Sequence, residues 1–208
     1  MGNWAGGPQP RWNRTRLDTL YRILGDGWFS GKSVLELGCG HGEIGKELVT
    51  KGAAVTLTDG RQTHVDEITK EDGAAKVLDV DGEWSIDGKF DLVIHWGVLY
   101  HVKEWKKSLE SSLKHAPLLA LETIVSKSID PLYEEHRDEV GYDQALKGVG
   151  VLLSEQHIEG FLTSINATFE RYDDPQLNTE ACANYSWSGD EKVDINWRRR
   201  FWIVRRGV

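Results

Sequence analysis

The sequence predicts a single α/β domain (residues 1–208) built on a Rossmann-like, doubly wound, mostly parallel sheet of seven strands with an antiparallel edge strand. Three observations predict it. Residues 34–42, Val-Leu-Glu-Leu-Gly-Cys-Gly-His-Gly, run from a strand into a glycine-rich turn and then a helix-like segment. Downstream, short apolar runs alternate with segments of helical spacing, the pattern of parallel strands joined by crossover helices. The two closing apolar runs are joined by a long connection, which suggests one antiparallel pair at the edge. A chain of 208 residues holds one such domain with a substantial core.

The elements follow in order. Arg14 to Leu24 has apolar residues at Leu17, Leu20, Tyr21 and Leu24, a helical spacing. Ser33–Leu37 reads as the first strand and Glu43–Lys51 as its crossover helix. Ala54–Thr58 is the second strand, ending at Asp59-Gly60, and Thr63–Glu71 the second helix. Ala75–Leu78 and Phe90–His95 are the third and fourth strands. Glu104–His115 is a helix and Leu118–Thr123 the fifth strand. Ser154–Ile165 is a helix with Ser154 as N-cap. Ala167–Tyr172 and Arg200–Val204 close the sheet. Residues 1–30 are expected to form a helical lid. The stretches 126–150 and 173–196 are the expected substrate-recognition insertions, since loops on a rigid scaffold carry specificity.

Composition narrows the function classes. The net charge of −8 argues against bulk attraction to nucleic acid. Arg198, Arg199, Arg200, Arg205 and Arg206 bracket the apolar run 201–204 and read first as charge at strand ends, second as a phosphate patch. Two cysteines, Cys39 and Cys182, cannot make a disulfide framework, so a reduced cytoplasmic setting is expected. No segment approaches the ~20 apolar residues of a membrane span, and the first ten residues lack an apolar signal core. The sequons at Asn13, Asn166 and Asn184 are therefore expected to be chance matches. No metal site is expected. Most of the nine tryptophans should be core or half-buried rim.

A strand, a glycine-rich turn and a helix in succession make a nucleotide-cofactor site. Two glycine frames are present. G-x-G-x-x-G fits Gly40, Gly42 and Gly45, but starts three residues past Leu37, whereas a dinucleotide fingerprint follows its strand at once. E-x-G-x-G-x-G fits Glu36, Gly38, Gly40 and Gly42 directly. Asp59 ends the second strand 21 residues after Gly38, near the ~20-residue spacing of a ribose-binding acid. Asp79 ends the third strand. His95-Trp96-Gly97-Val98-Leu99-Tyr100-His101 follows the fourth, where Gly97 admits close backbone approach. Histidine ordinarily titrates near neutrality, so His101 can serve as a base; it can equally cap or pack at the start of the next helix. Glu122 ends the fifth strand.

The E-x-G-x-G-x-G frame resembles motif I of the class I S-adenosylmethionine (SAM) methyltransferases, and the resemblance extends over nearly the whole chain. It implies SAM as cofactor, a sheet of seven strands, and a turn at Gly38, Cys39, Gly40 and Gly42 that passes under the methionine part. It implies that Glu36 helps fix the ammonium, directly or through water. Asp59 and Gly60 would hold the ribose, and Asp79 with Val80 the adenine. Residues 95–101 resemble motif IV, which lies beside the methionine and the acceptor; His95, Trp96 and Gly97 are the cofactor candidates there. Catalytic candidates are His101 or His95 first and Glu122 second. Trp12, Arg14, Tyr100, Tyr133, His136, Arg137, Tyr185 and Trp187 are the candidates for an acceptor pocket. A shorter match, Gly97–His101 followed by Leu121-Glu122-Thr123, resembles the tRNA wobble-uridine carboxymethyltransferases, which use carboxy-SAM. It covers about 30 residues, so it reads as shared ancestry of the core. The expected partner is a small molecule methylated at oxygen. The alternatives are an RNA-modifying enzyme of the same fold, an NAD-dependent oxidoreductase using the 40–45 frame, and a non-catalytic SAM-binding protein.

Overall fold

The structure, a computed structural model, describes residues 8–71, 75–141, 144–174 and 197–207, with side chains from residue 13 onward except those of Glu71 and Trp197. Five parallel strands form the centre: β1 (Ser33–Leu37), β2 (Ala54–Asp59), β3 (Ala75–Val77), β4 (Leu92–Trp96) and β5 (Leu118–Ser126). They lie in the order β3-β2-β1-β4-β5, so the chain reverses its lateral direction between β1 and β4. The carboxyl ends of these two strands therefore diverge into a crevice, the usual ligand position in open α/β sheets. The crossovers are α2 (Glu43–Thr50), α3 (Gln62–Glu71) and α4 (Trp105–His115).

Two further strands, β8 (Thr168–Tyr172) and β9 (Trp197–Arg205), complete the seven-stranded path. β9 runs antiparallel to both β5 and β8, so the reversed strand sits one place in and β8 is the edge. Helix α5 (Glu155–Ser164) leads into β8, and the Ser154 hydroxyl accepts the His157 N–H as its N-cap. Such a cap contributes about 1 kcal/mol.

The strands explain which side chains reach the crevice. Successive side chains point to opposite faces. Val34, Leu92, Ile94, Ala120, Phe201 and Ile203 pack with α1 (Pro8–Leu24) and α2 through Leu17, Leu20, Tyr21, Ile44 and Leu48. Leu35, Leu37, Val93, Leu119 and Leu121 pack on the other face with α4 and α5, through Trp105, Leu109, Leu113, Ile158 and Leu162. Glu36, Trp96 and Glu122 thus belong to the α1/α2 face, and His95 to the α4 face.

The stretch 126–150 is not an irregular insertion. It contains β6 (Glu134–Asp138), paired antiparallel with β7 (Val149–Ser154). β9 occupies one edge of β5 along its whole length, and β4 takes the other edge from Leu118 to Glu122. β7 joins only at Val125 and Ser126, on the edge that β4 vacates. The hairpin therefore stands beyond the carboxyl end of β4, beside the crevice. Helix α1 begins at Pro8, earlier than its apolar spacing indicates.

Candidate active site

The crevice is a cleft of about 220 Å³. The turn after β1 forms its floor. Gly38, Gly40 and Gly42 adopt φ of 61°, 54° and 74°, a region that side chains other than hydrogen disfavour. A Cβ on Gly38 would lie 2.4 Å from Val98 Cγ2, so this turn crosses the loop after β4 at close range. Gly45 has another reason to be glycine: a Cβ there would meet Leu57 at 2.3 Å inside the α2–sheet contact. Within this turn, the glycines in the left-handed region are those of the E-x-G-x-G-x-G frame, and Gly45 is not among them.

Glu36 lines the cleft and is 3% exposed. Burial pushes its carboxyl up to about 8, against the lowering effect of the Gly45 N–H and Arg16. Glu36 Oε2 and Trp96 Nε1 are buried at the cleft and meet no hydrogen-bond partner among the described residues. One is an acceptor and the other a donor. Together they complement the ammonium and carboxylate of an amino acid. Cys39 contributes a buried thiol, which burial first of all holds protonated.

Asp59, at the end of β2, is 5% exposed. Gly40 N–H donates to its Oδ2 at 3.0 Å and Arg61 N–H to its Oδ1 at 2.9 Å. His64 Nδ1 lies 3.2 Å from Oδ1. The carboxylate is thus aimed by the glycine turn itself. Gly60 lies beneath Leu146. Asp79 is exposed; it accepts the Asp81 N–H at 2.8 Å and pairs with Lys147 at 3.1 Å. Val80 is buried beside it at the cleft.

At the opposite end, Gly97, Tyr100 and His101 line the cleft. A Cβ on Gly97 would fall 2.8 Å from Arg16 Nη2, so glycine here admits that guanidinium. Arg16 and Arg199 clamp Glu122 from two sides, at 2.6 and 2.8 Å. Burial alone would raise the Glu122 carboxyl, but the two guanidiniums hold it below the usual carboxylate range. It is completely buried, both its oxygens are taken by guanidiniums and it does not line the cleft, so it is not placed to act as a base, contrary to expectation. His95 is also misassigned by the sequence. Strand parity turns its ring to Ser108 of α4, 3.3 Å away, and burial lowers it to about 4. It does not reach the cleft.

His101 sits in a 3-10 turn, Leu99–His101, and its Nδ1 contacts the Glu139 carboxylate. It caps nothing: α4 starts later, and Asp81 Oδ1 accepts the Glu104 N–H there. The expected acceptor residues fare unevenly. Tyr100 is at the cleft. Arg14 is on the surface, paired with Asp18 and Glu47. Tyr133, His136 and Arg137 pair with Glu135 and Glu134 on the hairpin rather than lining the cleft. The side chain of Trp12, and all of Tyr185 and Trp187, lie outside the described residues. Gly42 faces Leu57 of β2 and Ile68 of α3 rather than the cleft. Asn13, Arg16, Arg61 and Gln144 line it without having been singled out. Arg16 was signalled by its place four residues before Leu20, a charge on the apolar stripe of α1. Three of the five C-terminal arginines are spent internally: Arg198 and Arg200 bind Glu155, and Arg199 binds Glu122, while Arg205 and Arg206 are exposed.

Residues 11–173 match the family model of the methyltransferase domain. The chain belongs to that family, within the class I SAM-dependent methyltransferases. It is 31% identical over 136 residues to the mitochondrial ubiquinone biosynthesis O-methyltransferase of Schizosaccharomyces pombe. That match covers 59% of this chain and 50% of the relative, so the chain spans about half of it. Among solved structures, the N-terminal domain of EvdMO1, in the presence of SAH and D-fucose, superposes with a TM-score of 0.67 at 18% identity, covering all of this chain and 85% of that one. Magnesium protoporphyrin IX methyltransferase from Synechocystis PCC 6803, with bound SAH, gives 0.62 at 18% identity over 94% of this chain and 83% of that one. These likenesses carry the fold. Among the described residues no helix is long and apolar enough to cross a membrane.

Proposed function

We propose that the chain transfers the methyl group of SAM to a hydroxyl of a small-molecule acceptor, with His101 as general base. The carrying observation is the pair of buried, unpartnered atoms, Glu36 Oε2 and Trp96 Nε1, beside a turn of three left-handed glycines. They suit the zwitterionic end of an adenosyl amino acid. Asp59 suits its ribose, and Asp79 with Val80 its adenine edge. SAM supplies a methyl carbon on a sulfonium with a neutral leaving group, so the protein's main contribution is positioning. Glu36 takes up the ammonium as a carboxylate, Trp96 donates to the opposite charge, and the glycine turn lets backbone approach. His101, at the acceptor end, removes the hydroxyl proton as that oxygen becomes the nucleophile. A small-molecule acceptor agrees with the net charge of −8 and with the internal pairing of Arg198, Arg199 and Arg200. Oxygen as acceptor is supported by His101 and by the O-methyltransferase among the relatives. A cytoplasmic setting is kept with this reading, on the free buried thiol of Cys39.

Thermal shift with SAM, SAH and NAD tests the cofactor, since a bound ligand raises apparent stability by mass action. SAM and SAH should raise Tm and NAD should not. Radiolabelled methyl transfer from SAM to a panel of phenols, sugars and amines then tests the acceptor. Transfer to amines alone would overturn the oxygen assignment, and a Tm raised by NAD alone would overturn the cofactor.

A further inference from the structure

The loop between β6 and β7 meets both ends of the cleft. At the adenosine side, Arg61 donates to the Gln144 carbonyl, Leu146 lies over Gly60, and Lys147 pairs with Asp79. At the acceptor side, Glu139 reaches His101. The Glu139 backbone is fixed, since its N–H donates to the Gly148 carbonyl at 2.9 Å. Its carboxylate is fixed as well: Oε2 contacts His101 Nδ1 and accepts the Ala145 N–H at 3.0 Å. β7 makes room for this approach. A Cβ on Gly150 would fall 2.7 Å from Glu139 Oε1 and 2.4 Å from the Tyr100 carbonyl. Gly150 therefore lets the loop carboxylate and the turn bearing His101 share one space.

We propose that Glu139 is a positioning residue that receives the Nδ1–H of His101 and so leaves Nε2 as the ring's proton acceptor. A carboxylate accepts and cannot donate, so its partner nitrogen must carry the hydrogen. The tautomer of an imidazole is set by the hydrogen bond its other nitrogen makes. Because the same oxygen also holds Ala145, the base is aligned when the segment 144–147 is seated over the adenosine side. The inference rests on His101 being the base of the proposed reaction. Its own observable is the tautomer, which is read independently of turnover.

The test uses the whole chain with 15N-labelled histidine, in mildly alkaline buffer, reading long-range proton–nitrogen correlations of His101. Its signals are assigned by their loss in His101→Gln. In the unaltered protein the expected form carries hydrogen on Nδ1. In Glu139→Ala the ring should switch to the Nε2–H form common in free imidazole side chains. Glu139→Gln, which keeps an acceptor oxygen, should restore the Nδ1–H form, and thermal melts check that each variant folds. An Nε2–H ring in the unaltered protein, or an Nδ1–H ring that persists in Glu139→Ala, would overturn the inference. Calorimetry with SAH on the same samples separates the two levels. Absent binding overturns the function on which this rests, whereas binding with an unmoved tautomer overturns the role of Glu139 alone.

Discussion

Glu36 and Glu122 are both buried glutamates of central strands, on the same face of the sheet, Glu36 near the carboxyl end of β1 and Glu122 at the middle of β5. Their surroundings give them opposite uses. At the middle of β5, which runs on past the expected strand end to Ser126, two guanidiniums surround Glu122 and hold its carboxyl below the usual range. At the end of β1, Glu36 has an oxygen without a partner and a carboxyl pushed up to about 8 by burial. Removing charge from water is costly unless a counter-charge replaces the water. The β5 site has its counter-charges built in and is structural. The β1 end lacks one sufficient to keep it ionised, and it opens on a cleft. A buried carboxylate is thus read by what completes it, from within the protein or from a ligand.

The largest effect should come from breaking the completed cluster. Arg199→Met leaves Glu122 with one guanidinium, and removing a partner from a buried pair costs about 3–5 kcal/mol. Urea denaturation should show a loss of that order; a loss below about 1 kcal/mol would mean that Glu122 is not held by charge. Next, Gly38→Ala places a methyl 2.4 Å from Val98 Cγ2 at a φ of 61°. It should weaken SAH binding at least tenfold by calorimetry, while Gly45→Ala acts chiefly on stability.

The contrast at Glu36 also shows in pH. A carboxyl raised in the fold contributes stability that is present below its unfolded value and lost as pH rises through its folded value. For Glu36 that window runs from about 4.5 to about 8. The unliganded protein should therefore lose stability across that range. Glu36→Gln should flatten this part of the Tm–pH curve, since an amide does not titrate. The mildest test is Ser154→Ala, far from both glutamates, which should cost about 1 kcal/mol as a lost helix cap with SAH affinity unchanged.

The central sheet was legible because apolar runs, glycine turns and helical spacing agree along residues 33–123. Strand parity was equally available and separates two neighbours the sequence reading joined: Trp96 shares a face with Glu36, and His95 does not. Counting by twos from Val34 or Ile94 assigns both. The hairpin was harder. β6 is Glu-Glu-His-Arg-Asp, with no apolar alternation, because it is an exposed edge. Val151-Leu152-Leu153 before the Ser154 cap was the available signal for β7. Glu122 could not be told from a base by its position, since Arg16 and Arg199 lie 106 and 77 residues away along the chain. Only the fold unites them. Glu139 was invisible for the same reason, 38 residues from His101.

The most direct measurement is titration calorimetry with SAH near neutral pH, in two buffers of different ionisation enthalpy, on the unaltered chain and Glu36→Gln. The account expects binding of the unaltered protein with release of a proton, as the incoming ammonium turns Glu36 from acid to carboxylate. It expects weaker binding of Glu36→Gln with that release gone. No heat at millimolar SAH, or the same proton release from both proteins, would contradict it.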